Sequence, residues 1–118
     1  VIIRPATRED IEAFSPMRDK PSVRAWCMDA GGKIIALGGV ALSGGRWFAF
    51  VDLDDEARRH KVALARAAIR FFAMLRREGI KFVYAEADPE ESGSIAWMTR
   101  LGFVKDLRTN YLYRWSLQ

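Results

Sequence analysis

Cysteine is nearly absent from this sequence. Cys27 stands alone, so no internal disulfide can form and the fold must rest on packing. A single thiol suits a reducing compartment, and a cytoplasmic location is the corresponding expectation. Histidine is as scarce: with His60 and Cys27 each the only residue of its kind, no metal-ligand spacing exists and no metal is expected. Long hydrophobic runs are missing too. The longest, residues 34–42, contains Gly38 and Gly39 and is far short of a membrane span, so no membrane association is expected. No signal-peptide pattern is visible at the first residues, and the opening Val1 fits removal of a start methionine. Internal repeats, linkers, low-complexity segments, a Walker loop, a helix-turn-helix and an RNA-binding aromatic motif are all lacking, and nucleic acid is not an expected partner.

What remains is enough for one domain spanning residues 1–118. Half of the 118 residues are hydrophobic, with four Trp, seven Phe and three Tyr, which supports one core without staples. The net charge is +4 and the pI about 9.6. That balance permits an anionic partner, such as a phosphate-bearing cofactor, RNA or an acidic protein, and equally describes an ordinary surface richer in Arg than Glu.

Residues 2–4 read as a short strand, limited by Pro5 because proline cannot donate to a ladder. Thr7 is a helix N-cap, and Asp10, three residues on, comes close to completing a capping box. Ile11 and Phe14 give this short helix its apolar face, and Ser15-Pro16 ends it. Residues 17–21 read as loop. Residues 23–28, 33–42 and 47–53 read as three strands of an antiparallel meander, joined by turns at Asp29-Ala30-Gly31-Gly32 and Ser43-Gly44-Gly45. Gly38-Gly39, in the middle strand, signals a bulge or a close approach of backbone. The third strand is apolar on both faces except for Asp52, which places it centrally in its sheet.

Asp54 or Asp55 is positioned to cap the long helix that follows. Leu64, Ala68, Phe71 and Leu75 recur at helical spacing as a core stripe, Arg66, Arg70 and Arg77 occupy another face, and Gly79 ends the helix. Residues 81–87, KFVYAEA, form a strong strand. A right-handed crossover reaches it from the third strand, so the two should be parallel. Asp88-Pro89 breaks it; a second helix over 91–101 ends at Gly102; residues 103–104 and 110–117 are the last strands. The result is an α+β domain, a mixed sheet with an antiparallel meander, a β-α-β crossover and flanking helices.

This order, together with SIAWMTRLGF over residues 94–103, resembles the GNAT family, the GCN5-related N-acetyltransferases. The resemblance covers nearly the whole chain, although the region before residue 23 is shorter than usual and looks similar to small phage- and prophage-type members. It implies an acyl-CoA-dependent N-acyltransferase, with acetyl-CoA as cosubstrate and a primary amine as acceptor, working by direct attack. It places the pantetheine along the backbone of Val51 and Leu53. The pyrophosphate would lie at the start of the following helix, where unpaired N–H groups and a positive dipole end gather. The family signature there, Gln/Arg-x-x-Gly-x-Gly/Ala, falls on residues 56–61, and Glu56, Arg59 and Lys61 all depart from it. Two readings follow. Either Arg58, Arg59, His60, Lys61, Val62 and Ala63 hold the pyrophosphate with charge in place of tight glycine packing, or the cofactor site has decayed and the fold serves as a module binding a protein or nucleic acid. Arg and Lys in such a turn are also what a solvated face balanced by Asp54, Asp55 and Glu56 would show.

Met98 stands where the family often has a Tyr as general acid, and Glu91 where an Asn is common. An ammonium must lose its proton before attack, so a base is needed. Glu86 leads, as a carboxylate near the sheet interior; Asp52 and Asp88 follow. Each is equally a strand-end carboxylate, solvated or paired with an Arg. Cys27 reads as core, and Trp26, Trp47, Trp97 and Trp115 as core or cleft walls. The last strand, with Tyr111 to Trp115, is apolar enough to pair between subunits, so monomer and homodimer both stay open.

Overall fold

The computed structural model describes residues 1–86, 94–106 and 112–116. Strand β1 (Ile2–Pro5) leads to helix α1 (Arg8–Phe14) and then to the strands β2 (Arg24–Ala30), β3 (Lys33–Ser43) and β4 (Arg46–Leu53). Helix α2 (Lys61–Arg77), strand β5 (Phe82–Glu86), helix α3 (Ser94–Leu101) and strands β6 (Val104–Lys105) and β7 (Leu112–Ser116) complete it. The sheet order is β1-β2-β3-β4-β5-β7-β6. Neighbours run antiparallel except β4 and β5, which are parallel across the α2 crossover. Class, meander and crossover match the sequence expectation, and β4 is the central strand. Asp88-Pro89, Glu91, Asn110, Tyr111 and Leu117 lie outside the described residues.

The front of the chain is tied down by one carboxylate. Asp10 closes a capping box with Thr7: its N–H donates to Thr7 Oγ1 (3.2 Å) and the Thr7 N–H donates to Asp10 Oδ2 (2.8 Å). Arg4 of β1 donates to the same Asp10 Oδ2 at 2.7 Å and to Asp29 Oδ2 of β2 at 3.3 Å. The Arg4 guanidinium, helped by the Thr7 backbone, therefore holds the Asp10 carboxyl well below the usual carboxylate range. Residues 16–18, expected as loop, wind into a short 3-10 turn.

Gly38 and Gly39 answer to close approach and not to a bulge. A Cβ on Gly39 would lie 2.1 Å from the Arg24 carbonyl oxygen, and one on Gly38 would lie 2.4 Å from the Trp26 ring. The register shift between these strands falls elsewhere, opposite Met28 and Asp29 of β2, where Ile35 of β3 is the extra residue.

Packing is on both faces. Beneath α2, Leu64, Ala67, Phe71, Phe72 and Leu75 meet Trp26, Ile35, Val83, Met98, Phe103 and Trp115. The Phe72 ring stands edge-on to Phe103 at 5.6 Å. Burying each large side chain here contributes ~1.5–3 kcal/mol. The opposite face holds a smaller cluster of Ile11, Cys27 and Leu37 under α1. At the end of α2, Gly79 takes φ 85° and the Ile80 N–H reaches back to the Leu75 carbonyl at 3.1 Å. Among the described residues no helix is long and apolar enough to cross a membrane.

Candidate active site

Strand β4 sits in the middle of the sheet, yet none of its residues is fully buried. The cause is its partnership with β5. The two strands bridge at one residue pair, Phe48 and Tyr84, whose rings lie 6.0 Å apart. Beyond that bridge residues 49–53 have no β5 ladder partner, and β5 itself ends two residues on, at Glu86. Trp47, Ala49 and Leu53 pack into the core beneath α2, and Phe50 packs on the opposite side. Val51 is 38% exposed although it stands in the central strand. Val51 and Leu53, the residues the resemblance assigns to the pantetheine, lie on this unpaired stretch of β4, the candidate wedge between the strands.

The turn leaving β4 differs from expectation. The Asp54 N–H donates to the Ile35 carbonyl (3.0 Å), and Asp54 Oδ1 accepts from the Ala57 N–H (3.0 Å). Asp54 therefore closes the turn entering a 3-10 turn, Ala57–Arg59, whose N-cap residue is Glu56, and does not cap α2, whose N-cap is His60 with no side-chain cap. The reason is spacing: the 3-10 turn inserts itself between the acidic residues and the helix. Within it the N–H groups of Arg59 and His60 are already spent on the carbonyls of Glu56 (3.2 Å) and Ala57 (2.9 Å). Those two residues can offer a ligand only their side chains. Lys61, Val62 and Ala63 open α2, so their N–H groups have no helical carbonyl one turn back. No acidic residue lies in that first turn. Arg58, Arg59, Lys61 and Val62 are exposed and His60 and Ala63 half-buried. Arg58 makes one long surface contact, Nε to Asp55 Oδ1 at 3.9 Å.

Two candidate bases separate clearly. Asp52 is fully engaged: Oδ2 accepts from Ser15 Oγ (2.9 Å) and Arg18 Nε (3.0 Å), and Oδ1 accepts from Arg18 Nη2 (3.1 Å). The Arg18 guanidinium also lies 4.5 Å over the Phe50 ring. Arg18 and Ser15 carry no local sequence signal for this role, since their partner is more than thirty residues away. Glu86, the last residue of β5 and the register partner of Leu112 on β7, is exposed and not interior. It makes no ion pair among the described residues. Asp88 lies outside them.

Other candidates resolve as packing. Cys27 is fully buried, with its thiol pushed up by burial and its Sγ 4.0 Å from Asp10 Oδ2, so it is no nucleophile. Met98 faces the main core, as do Trp26 and Trp115, while Trp47 is half-buried. The side chain of Trp97 is outside the described set. Among the described residues no three His, Cys, Asp or Glu side chains converge. A cavity of about 420 Å³ lies on the other side of the bridge, at the N-terminal ends of β4 and β5, lined by Arg46, Trp47, Lys81, Phe82 and Tyr84. It is separate from the wedge.

No family model matches this sequence, and no curated protein does. Solved structures match it along its whole length. The ribosomal-protein-S18-alanine N-acetyltransferase from Escherichia coli is 12% identical at a TM-score of 0.72, covering 98% of this chain and 92% of that one. GCN5 from Tetrahymena is 11% identical at 0.70, covering 100% and 97%. The PaiA N-acetyltransferase from Thermoplasma acidophilum, solved in complex with coenzyme A, is 9% identical at 0.73, covering 98% of each. At such identities the likeness is one of fold: this chain has the α+β fold of the GNAT acetyltransferases, in a divergent sequence.

Proposed function

We propose that this chain is an acyl-CoA-dependent N-acyltransferase, most simply an acetyltransferase, acting on a primary amine. The observation that carries the reading is the single Phe48–Tyr84 bridge, which leaves residues 49–53 of the central strand without a β5 partner, together with the acid-free first turn of α2. The residues fit the cosubstrate. The backbone of Val51 and Leu53 lines the wedge and would pair with the amide-bearing pantetheine arm. The N–H groups of Lys61, Val62 and Ala63 would meet the pyrophosphate, with Arg58, Arg59, His60 and Lys61 supplying charge. A bound acyl-CoA supplies an activated thioester carbonyl for direct attack, with no acyl-enzyme.

Glu86 is the base in this reading. Its exposed carboxylate, at the C-terminal end of β5, would take the proton that the acceptor ammonium must lose. Asp52 is the second candidate, but its two oxygens already accept from Ser15 and from both arms of the Arg18 fork. Asp52 is better placed to fix Arg18 and the end of α1 against β4.

One observation favours a second reading, a catalytically silent module of this fold. Met98 is buried in the core at the position where the resemblance expects a proton donor. Calorimetry with acetyl-CoA, at low and physiological salt, separates the two. Micromolar binding that an R58A/R59A/K61A variant loses supports the acyltransferase and justifies an amine screen. Absence of binding at both salts overturns it and leaves the binding module.

A further inference from the structure

We propose that the outward face of α2 is a nucleic-acid-binding surface that reads the phosphate backbone. Seven of the chain's nineteen basic residues and none of its fifteen acidic ones fall within residues 57–77, so this segment carries +7 and the rest of the chain −3. All seven, Arg58, Arg59, Lys61, Arg66, Arg70, Arg76 and Arg77, are exposed. The fold thus gathers a charge that looked mild in the composition onto α2 and the turn that leads into it, with Arg66, Arg70 and Arg77 on its outward side.

The arrangement is ordered. Leu64, Ala67, Ala68, Phe71, Phe72 and Leu75 bury the inner face, which turns the arginines outward. On a helix of 3.6 residues per turn, Arg66, Arg70 and Arg77 lie within about 40° of one another and span about 16 Å along the axis. A nucleic acid strand carries one charge every ~3.4 Å of its axis, so this row faces several consecutive phosphates. Six of the seven cations are Arg, the side chain whose planar fork matches phosphate.

Simpler explanations leave the row standing. Arg76 and Arg77 suit the helix C-terminus and its dipole, and Arg76 also lies 5.5 Å over the Trp115 ring. Arg66 and Arg70 are mid-helix, one turn apart, where like charges disfavour the helix. Among the described residues neither has an acidic partner within ion-pair distance, and Arg77 has only its neighbour Glu78, whose carboxylate is taken by Arg24. A cofactor at the start of α2 does not account for them either, since Arg77 is about 24 Å further along the axis than Lys61. An acidic protein partner would want aromatic or aliphatic anchors at the centre of its contact. This face offers only Val62 and Ile69, about 10 Å apart along the axis. At the end of α2 the basic character continues into the cavity beside Gly79, where Arg46 and Lys81 stand with no acidic lining residue.

The test is fluorescence anisotropy with mixed-sequence single-stranded RNA and duplex DNA of roughly 20 nucleotides per strand, at about 50 and about 200 mM salt. Wild type is compared with R66E/R70E/R77E and R66Q/R70Q/R77Q, their folding checked by circular dichroism. The expected result is sequence-indifferent binding whose logarithm falls with log salt at a slope of about −3 or steeper, at about 0.7–0.9 per phosphate contact. Charge reversal should weaken it more than about tenfold and remove two to three of those contacts from the slope. If the charge-reversed chain fails to fold, the glutamine variant decides by the same slope. No binding at the lower salt, binding undiminished in the folded variants, or equal displacement by polyglutamate of matched charge overturns the proposal, the last in favour of an acidic protein. Acetyl-CoA calorimetry on the same variants should be unchanged, so this surface and the acyltransferase reading stand or fall separately.

Discussion

At the scale of single residues, the two carboxylates offered as bases have opposite surroundings and should fail differently. Glu86 is exposed and makes no ion pair among the described residues, so Glu86→Gln should leave stability and acetyl-CoA binding intact while lowering kcat about 100-fold or more. Steady-state kinetics beside calorimetry checks this; an unchanged kcat removes Glu86 from the mechanism. Asp52 holds Ser15 and both arms of the Arg18 fork, so Asp52→Asn should cost about 1–3 kcal/mol of stability in urea titration and leave kcat per folded molecule within a fewfold. The glycines are as specific. Ala at Gly39 puts its Cβ against the Arg24 carbonyl, which is backbone and cannot rotate away. Gly39→Ala should therefore destabilise by about 3 kcal/mol, and a midpoint within ~0.5 kcal/mol of wild type would mean that β2 and β3 yield more than packed strands do.

At the scale of elements, what could be read from the sequence was whatever is locally encoded. The Thr7–Asp10 box, the buried stripe of α2 and its Gly79 stop depend on residues within a turn or two of each other, and all are present in the fold. The cap of α2 was misassigned because Asp54 accepts a backbone N–H equally well at the entry to a 3-10 turn, and only the length of that turn decides which helix it serves. The Arg18–Asp52 pair and the Arg4–Asp10–Asp29 cluster join distant positions, for which no pattern in one sequence exists. The second cluster makes a pH prediction. Asp10 has its folded-state pKa lowered by Arg4 and by the Thr7 N–H, so its stabilisation is fully present above the ordinary carboxylate range and is lost as pH falls through that range toward the folded value. Asp10→Ala should remove about 1–3 kcal/mol at neutral pH and flatten the decline in stability below about pH 4. Denaturant midpoints of both proteins across acid pH check this; parallel curves would show that Asp10 carries none of the acid sensitivity.

At the scale of the whole molecule, the sheet is built in two halves whose ladders join at one position. Strands β1 to β4 form continuous antiparallel ladders, β5 pairs with β7 along its length, and the halves are joined by the single Phe48–Tyr84 bridge, the α2 crossover and the core beneath it. A ligand lying in the wedge between the halves would contact both, and would therefore bind the folded chain and not the unfolded one. Linkage then fixes the size of its effect: at about one hundred times its Kd it adds ~2.7 kcal/mol of stability. For a chain of this length the entropy of unfolding converts that into a rise in Tm of roughly 10 °C. Nucleic acid on the outer face of α2 touches the crossover helix and neither strand of the bridge. It should raise Tm as well, but its contribution should vanish by physiological salt while that of acetyl-CoA, held partly by backbone N–H groups, persists. Thermal melts with each ligand at both salts make the comparison. A rise with acetyl-CoA that disappears with salt as fully as the nucleic-acid rise would mean that the cosubstrate is held by the arginine-rich surface alone, and that the opening between β4 and β5 is not its seat.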